Sequence, residues 1–346
     1  MPWTKILLER QGNPLEVEVA GSGSRKIKYA EAIREAFDQA LDTDKRVFIM
    51  GQGVDDPQGM FGATLNLHKK YGRERVFDTP LSENALTGIA LGAALAGMRP
   101  IYAHNRPDFL LLAMDQIVNH ASKWSYMFAG HTKVPLVIWC VIGRGWGSAA
   151  QHSQALQGLF MHVPGLKLVM PSTPYDAKGL MITAIADENP VIIIEHRWNF
   201  MQEGYVPSRL YSIPFGKGIV RKTGNDVTIV GASYIILEAI KAAKKLEEEG
   251  ISAEVIDLRT LKPLDEDVIL NSVKKTGRLV IVDTGWKTGG VTAEISALVA
   301  EKGFGYLKAP IKRLASPDVP TPASYALEEA FYKNERDIVD LVNQFF

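Results

Sequence analysis

The chain has 346 residues, 46% of them hydrophobic, and its 39 basic and 39 acidic side chains cancel to a formal net charge of +0. That balance excludes nucleic-acid or anionic-membrane binding by bulk electrostatics, and a single cysteine, Cys140, excludes an internal disulfide. The length points to two domains, each with apolar residues enough for a core.

Residues 1–26 read as an irregular lead-in ending in Gly21-Ser22-Gly23-Ser24. Without a basic start and an apolar core they do not read as a signal peptide, and the cytoplasm is the default location. Apolar and small residues at helical spacing predict a helix over 29–41. Strands follow at 47–50, closed by Gly51 and Gly53, and at 75–77, where Pro80 stops the chain. Ser82 then stands as an N-cap for a helix over 84–97. A strand at 100–103, a long helix over 109–128 and a strand at 136–141 come next. The apolar run 135–142 is too short to span a bilayer, and Cys140 within it is most simply a small core residue. Strands at 166–170 and 191–194 flank a helix over 177–187. After a polar, turn-rich linker, 201–214, the pattern resumes with strands at 227–230, 253–258, 279–283 and 311–314 and helices over 235–250, 292–302 and 326–346. Fully apolar strands alternating with helices predict an α/β fold of two doubly wound domains, 27–200 and 215–346, the first around a mostly parallel sheet covered on both faces.

In an open α/β sheet, ligands sit beyond the carboxyl ends of the strands. Glu83, Phe109 and His152 all fall there. By spacing alone each has a plain reading: Glu83 as a first-turn acid favouring the helix dipole, Phe109 as core, His152 as a histidine bound to backbone. The glycines of Gly51-Gln52-Gly53 and of 143–147 are weak phosphate signals and read as loops shaping a cleft.

Several longer segments change the balance. Arg75-Val76-Phe77-Asp78-Thr79-Pro80-Leu81-Ser82-Glu83, Asp115-Gln116-Ile117-Val118-Asn119, Gln151-His152-Ser153-Gln154, Pro164-Gly165-Leu166-Lys167, Asp176-Ala177-Lys178-Gly179-Leu180 and the run 254–265 resemble, in register and in order, the beta subunit of the thiamine-diphosphate-dependent 2-oxo acid dehydrogenases. The resemblance runs from about residue 27 to the C-terminus. It implies a transketolase-like pyrimidine-binding domain followed by a transketolase C-terminal-like domain, used for dimer contact. It also implies oxidative decarboxylation of a 2-oxo acid, with the acyl group passed to lipoamide. On it, Glu83 matches the acid that activates the cofactor pyrimidine, Leu81 and Phe109 contact that ring, and His152 moves a proton. His162 is then a structural histidine. Ala184, Asp187 and Asn189 match a potassium loop, which also reads as an ordinary turn.

Enzymes of this kind hold the cofactor diphosphate through Mg2+ with a segment beginning Gly-Asp-Gly, and no Gly-Asp dipeptide occurs in this chain. The resemblance therefore implies that an alpha subunit carries the diphosphate and Mg2+, in an α2β2 assembly. A lipoyl acyltransferase core is the further partner it implies. The chain departs from the family at His104, Asn105, Arg106, Arg144 and Trp146, where apolar or small residues are usual. These residues imply a more polar and cationic substrate entrance than an aliphatic 2-oxo acid needs. Two other readings stay open: a split, transketolase-like ketol or acyl transferase acting on a sugar or polar substrate, and a non-catalytic assembly subunit.

Overall fold

The computed structural model describes residues 24–143 and 147–346. Arg144, Trp146 and nearly all of the lead-in fall outside them. The strands in chain order are β1 (Lys26–Lys28), β2 (Val47–Gly51), β3 (Val76–Phe77), β4 (Arg99–His104), β5 (Val137–Ile142), β6 (Lys167–Val169), β7 (Val191–His196), β8 (Glu203–Tyr205), β9 (Ile219–Lys222), β10 (Val227–Gly231), β11 (Ala253–Asp257), β12 (Thr260–Lys262), β13 (Leu279–Trp286) and β14 (Lys312–Ser316). The α-helices are α1 (Tyr29–Thr43), α2 (Leu67–Tyr71), α3 (Glu83–Leu95), α4 (Ser122–Met127), α5 (Gln157–His162), α6 (Pro174–Ala186), α7 (Ile235–Glu248), α8 (Glu266–Thr276), α9 (Val291–Lys302), α10 (Tyr325–Phe331) and α11 (Glu335–Asn343).

Seven strands form one sheet in the order β12-β6-β7-β5-β4-β2-β3, and five form a second, β14-β13-β10-β11-β9. In the first sheet only the edge strand β12 runs antiparallel. Every residue of β5 and β7 is buried. That absence of alternation is the signature of strands covered on both faces. One face carries α1 and α6, around Phe37, Trp139 and Leu180. The other carries α3 and the segment after β4, around Leu91, Leu110 and Ile138, and its apolar cluster continues into the second domain through Val230, Ile256 and Ile281. Both domains are α/β with parallel-dominated sheets, as the alternation predicts. Among the described residues no helix is long and apolar enough to cross a membrane.

Three features differ from the predicted elements. The helix over 109–128 is instead a 3-10 turn at Pro107–Ala113, a π segment at Asp115–Ala121 and then α4. The backbone of Gly165 presses so close to the Ser122 carbonyl that a Cβ there would lie 1.9 Å from its oxygen. The predicted terminal helix is two, and Asn334 caps the second by accepting the Arg336 N–H at 2.9 Å. The second domain also holds α8, capped by Asp265, and sends β12 out to pair with β6 of the first sheet.

Candidate active site

The carboxyl ends of β3, β2, β4, β5 and β7 lie along one edge of the first sheet, and the candidate side chains are built there. Glu83 is the first residue of α3 and is half-buried. Ser82 takes the N-cap position, but its side chain makes no capping hydrogen bond. Among the described residues no side chain or N–H group is hydrogen-bonded to the Glu83 carboxylate. Asp78, five residues earlier, shapes the approach: its Oδ1 accepts the N–H groups of Gly53 and Thr79, each at 2.9 Å. Leu81 stands out from the surface, 74% exposed.

Behind Glu83 lies the end of β4. Tyr102 and His104 point to the same face of the strand, with ring centroids 4.1 Å apart. Burial, and then the charge of Glu83, push the Tyr102 hydroxyl well above its ordinary value. His104 is buried, and desolvation pulls it down to about 3, so it is neutral at any physiological pH. Among the described residues its Nε2 has no hydrogen-bond partner.

Phe109 and His152 come together. Phe109 sits half-buried in the 3-10 turn after β4, against which α3 packs. Exposed His152 closes the short turn Ala149–Gln151 that follows β5. Their ring centroids are 5.2 Å apart, edge to face at 80°. A neighbouring pair stitches the two loops: Asp108 Oδ1 accepts from Gln154 Nε2 at 2.8 Å. His162 lies away from them, at the end of α5.

The expected cationic entrance is not formed by Arg106. The side chain is buried, and its Nη1 donates to the carbonyls of Gly143 at 2.6 Å and Val141 at 3.2 Å. A guanidinium so engaged ties the end of β5 and Gly143 to the segment after β4. His104 is buried too, so neither side chain stands at an open entrance in this structure. Beside Gly143, His196 is pulled down to about 3 by burial and then by Arg106, and its Nδ1 accepts the Trp198 N–H at 3.2 Å.

Ala184, Asp187 and Asn189 do converge at the end of α6, but cationic side chains already use the loop's oxygens. Arg99 donates to the carbonyls of Ile185 and Asp187, each at 3.0 Å, while the Asp187 carboxylate pairs with Lys167 and accepts the Asn189 N–H at 2.9 Å. Among the described residues no group of three or more His, Cys, Asp or Glu side chains converges on a metal position.

Sequence reading missed Tyr102, the Asp108–Gln154 bridge and Arg197. The first was accessible through its period-two partner His104; the other two depend on loops brought together only by the fold.

Comparison with known proteins gives this geometry its context. The transketolase pyrimidine-binding domain matches residues 25–202, and the transketolase C-terminal domain matches residues 216–338. The beta subunit of acetoin:2,6-dichlorophenolindophenol oxidoreductase from Cupriavidus necator is 45% identical over 325 residues, covering 91% of this chain and 96% of its own. The pyruvate dehydrogenase E1 component subunit beta of Rickettsia felis is 43% identical, covering 92% and 98%, and the 2-oxoisovalerate dehydrogenase subunit beta of Bacillus subtilis is 41% identical, covering 89% and 95%. Among solved structures, a split-gene transketolase in an inactive beta4 tetramer shares the fold, with a TM-score of 0.73 at 24% identity over 92% of this chain and 97% of its own. The chain therefore belongs to the family of 2-oxo acid dehydrogenase E1 beta subunits, built from the transketolase pyrimidine-binding and C-terminal domains.

Proposed function

We propose that this chain is the pyrimidine-binding half of a heteromeric thiamine-diphosphate enzyme that oxidatively decarboxylates a 2-oxo acid and passes the acyl group to an acceptor such as lipoamide. The observation that carries the reading is Glu83. It is a half-buried carboxylate at a helix start, without a partner among the described residues, on the sheet edge that also carries Phe109 and His152. A ring with a nitrogen to offer that acid and a face to offer Phe109 suits this set.

Thiamine diphosphate, when bound, supplies the acidic thiazolium carbon and the electron sink. The residues of this chain do the rest. Glu83 presents its carboxyl group to the pyrimidine ring nitrogen and holds a proton there. Phe109 lends an aromatic face, and the Asp108–Gln154 bridge keeps the Phe109 and His152 loops in step. His152 is exposed at the mouth and moves a proton at the substrate, a role worth about 10²–10⁴-fold in rate when well placed. The absence of a Gly-Asp dipeptide supports an alpha subunit that holds the diphosphate and Mg2+, most simply in an α2β2 assembly.

Glu83→Gln tests this in the assembly reconstituted with the alpha subunit. It should reduce hydrogen–deuterium exchange at the cofactor C2 by at least a hundredfold and leave the unfolding midpoint in place. An unchanged exchange rate would remove Glu83 from the role. Turnover measured in parallel with a redox acceptor and with an aldehyde acceptor should be sustained by the redox acceptor.

A further inference from the structure

Arg197 is the first residue past β7, and among the described residues it has no counterion. The turn Arg197–Met201 buries Phe200 in the core and leaves the guanidinium over the ring of Phe61, 4.7 Å from its centroid, and 5.6 Å from that of Phe200. Among the described residues no carboxylate pairs with it. Glu195, two positions earlier, does not serve: it is fully buried, its carboxylate accepts the Tyr29 hydroxyl, and desolvation pushes it well above the usual carboxylate range. Burial, and then repulsion from Arg106, bring Arg197 down to about 10, so it still carries its charge at neutral pH. A desolvated cation of this kind is unfavourable unless an anion arrives from elsewhere.

The guanidinium lines a cleft of about 720 Å³ between the start of α1, the loop after β2 and the turn after β7. Lys28 and Arg34 stand on its rim, and the amides of Gln52 and Asn105 line its wall. Two acids also line it. Glu31 is engaged, accepting the Lys28 N–H at 2.9 Å and lying 3.8 Å from Arg34, which leaves Asp56 as the second. The loop after β2 is tied to the segment leading to Glu83 through Gly53 and Asp78. The cleft and the Glu83 ledge therefore share a wall on one edge of the sheet. The volume falls within the range of about 300–1,000 Å³ typical of small-molecule sites, and it exceeds what a three- or four-carbon 2-oxo acid fills.

We propose that this cleft holds an oxyanion, phosphate or carboxylate, at the far end of the substrate, with Arg197 as the charge that fixes it. The planar guanidinium, braced by two aromatic faces, is suited to bidentate capture of either group. The inference rests on the proposed function for the word substrate, and it names the end of that substrate that this chain holds away from the reacting carbon.

The test begins with the full chain, titrated calorimetrically with inorganic phosphate and, separately, with acetate. Wild-type protein should bind at least one of them. Arg197→Gln should weaken that binding tenfold or more, and Arg197→Lys, which keeps the charge and guards against a folding defect, should retain part of it. Tighter binding of phosphate names a phosphate tail; equal or tighter binding of acetate names a carboxylate. In the reconstituted assembly Arg197→Gln should raise KM for an anion-tailed 2-oxo substrate at least tenfold with kcat nearly kept. Glu83→Gln should abolish turnover and leave phosphate or acetate binding intact, so failure of the thiamine reading is separable from failure of this one. The proposal is overturned if neither anion binds, or if Arg197→Gln and wild type bind alike. It is equally overturned if Arg197→Gln loses only the alpha subunit, which would assign the missing counterion to a carboxylate of the partner.

Discussion

Phe109 is held by a local device, not by the bulk of the core. Its ring stands edge-on to His152, and Asp108 beside it takes the amide of Gln154, so two loops from different strands fix one aromatic face. Stacking of a flat heteroaromatic on such a face is worth about 0.5–1.5 kcal/mol beyond the area it buries. Phe109→Leu keeps an apolar side chain of similar bulk and removes only the ring. Cofactor affinity of the reconstituted assembly should then fall roughly two- to tenfold, with the unfolding midpoint little changed. Fluorescence titration with thiamine diphosphate reads this directly, and an unaltered dissociation constant would take Phe109 away from the ring. Arg106 belongs to the same scale. A charge beside a proline in a turn-like stretch looks exposed in sequence, yet its Nη1 satisfies two backbone carbonyls below the surface.

Elements between strand ends decide how those side chains are presented, and the segment after β4 shows the limit of periodic reading. Helical spacing over 109–128 is present, but tertiary pressure divides it into 3-10, π and α turns. Short π segments are frequent at functional sites because they re-aim side chains without breaking the helix. The close contact comes from Gly165, at φ +91°, whose missing Cβ leaves room for the Ser122 carbonyl. Gly165→Ala combines a left-handed backbone with a collision against main chain. It should cost about 2–4 kcal/mol in urea unfolding and lower turnover by displacing the Phe109 segment. Wild-type stability in that variant would show that the contact is slack. The strands β2, β5, β7, β10, β11 and β13 were legible because continuous apolar runs have few other solutions. β9 and β12 were not, being short edge strands defined by their partners: β12 pairs through only Thr260 and Lys262. Glu83, Phe109 and His152 are singled out through long segments of resemblance, whereas nothing in the sequence signals that Arg197 lacks a counterion among the described residues.

Across the whole molecule the two domains are not beads on a string. β12 leaves the second domain to pair with β6, and a fully buried group joins Arg221 to Asp176 and, at 2.7 Å, to Asp257, with Arg259 on Asp176 also at 2.7 Å. Two carboxylates matched by two guanidiniums avoid the large cost of burying either alone. A second polar contact crosses the same boundary without such compensation. Gln157 of α5 donates to Asp283 Oδ1 of β13 at 2.8 Å, while Asp283 Oδ2 is buried without a partner. Burial raises this carboxyl to about 6, against the lowering effect of the Gln157 hydrogen bond and of the nearby Thr284 and Gly285 N–H groups. The direction of the pH effect follows. Below about pH 4 the group is protonated whether the chain is folded or not, and its contribution is fully present. As pH rises towards 6 the unfolded chain ionises first, so the native state loses about 3 kcal/mol by pH 7. Asp283→Asn keeps an acceptor for Gln157 and removes the titration. Its stability relative to wild type should be near equal at pH 4 and greater by up to about 3 kcal/mol at pH 7.5, measured by urea unfolding of the full chain at each pH. Taking the difference between the two proteins cancels the other buried groups, including His104, His196 and Glu195. A difference that stays flat from pH 4 to 7.5 would mean that Asp283 ionises freely at the domain boundary, and the boundary would then be open to water where the structure closes it.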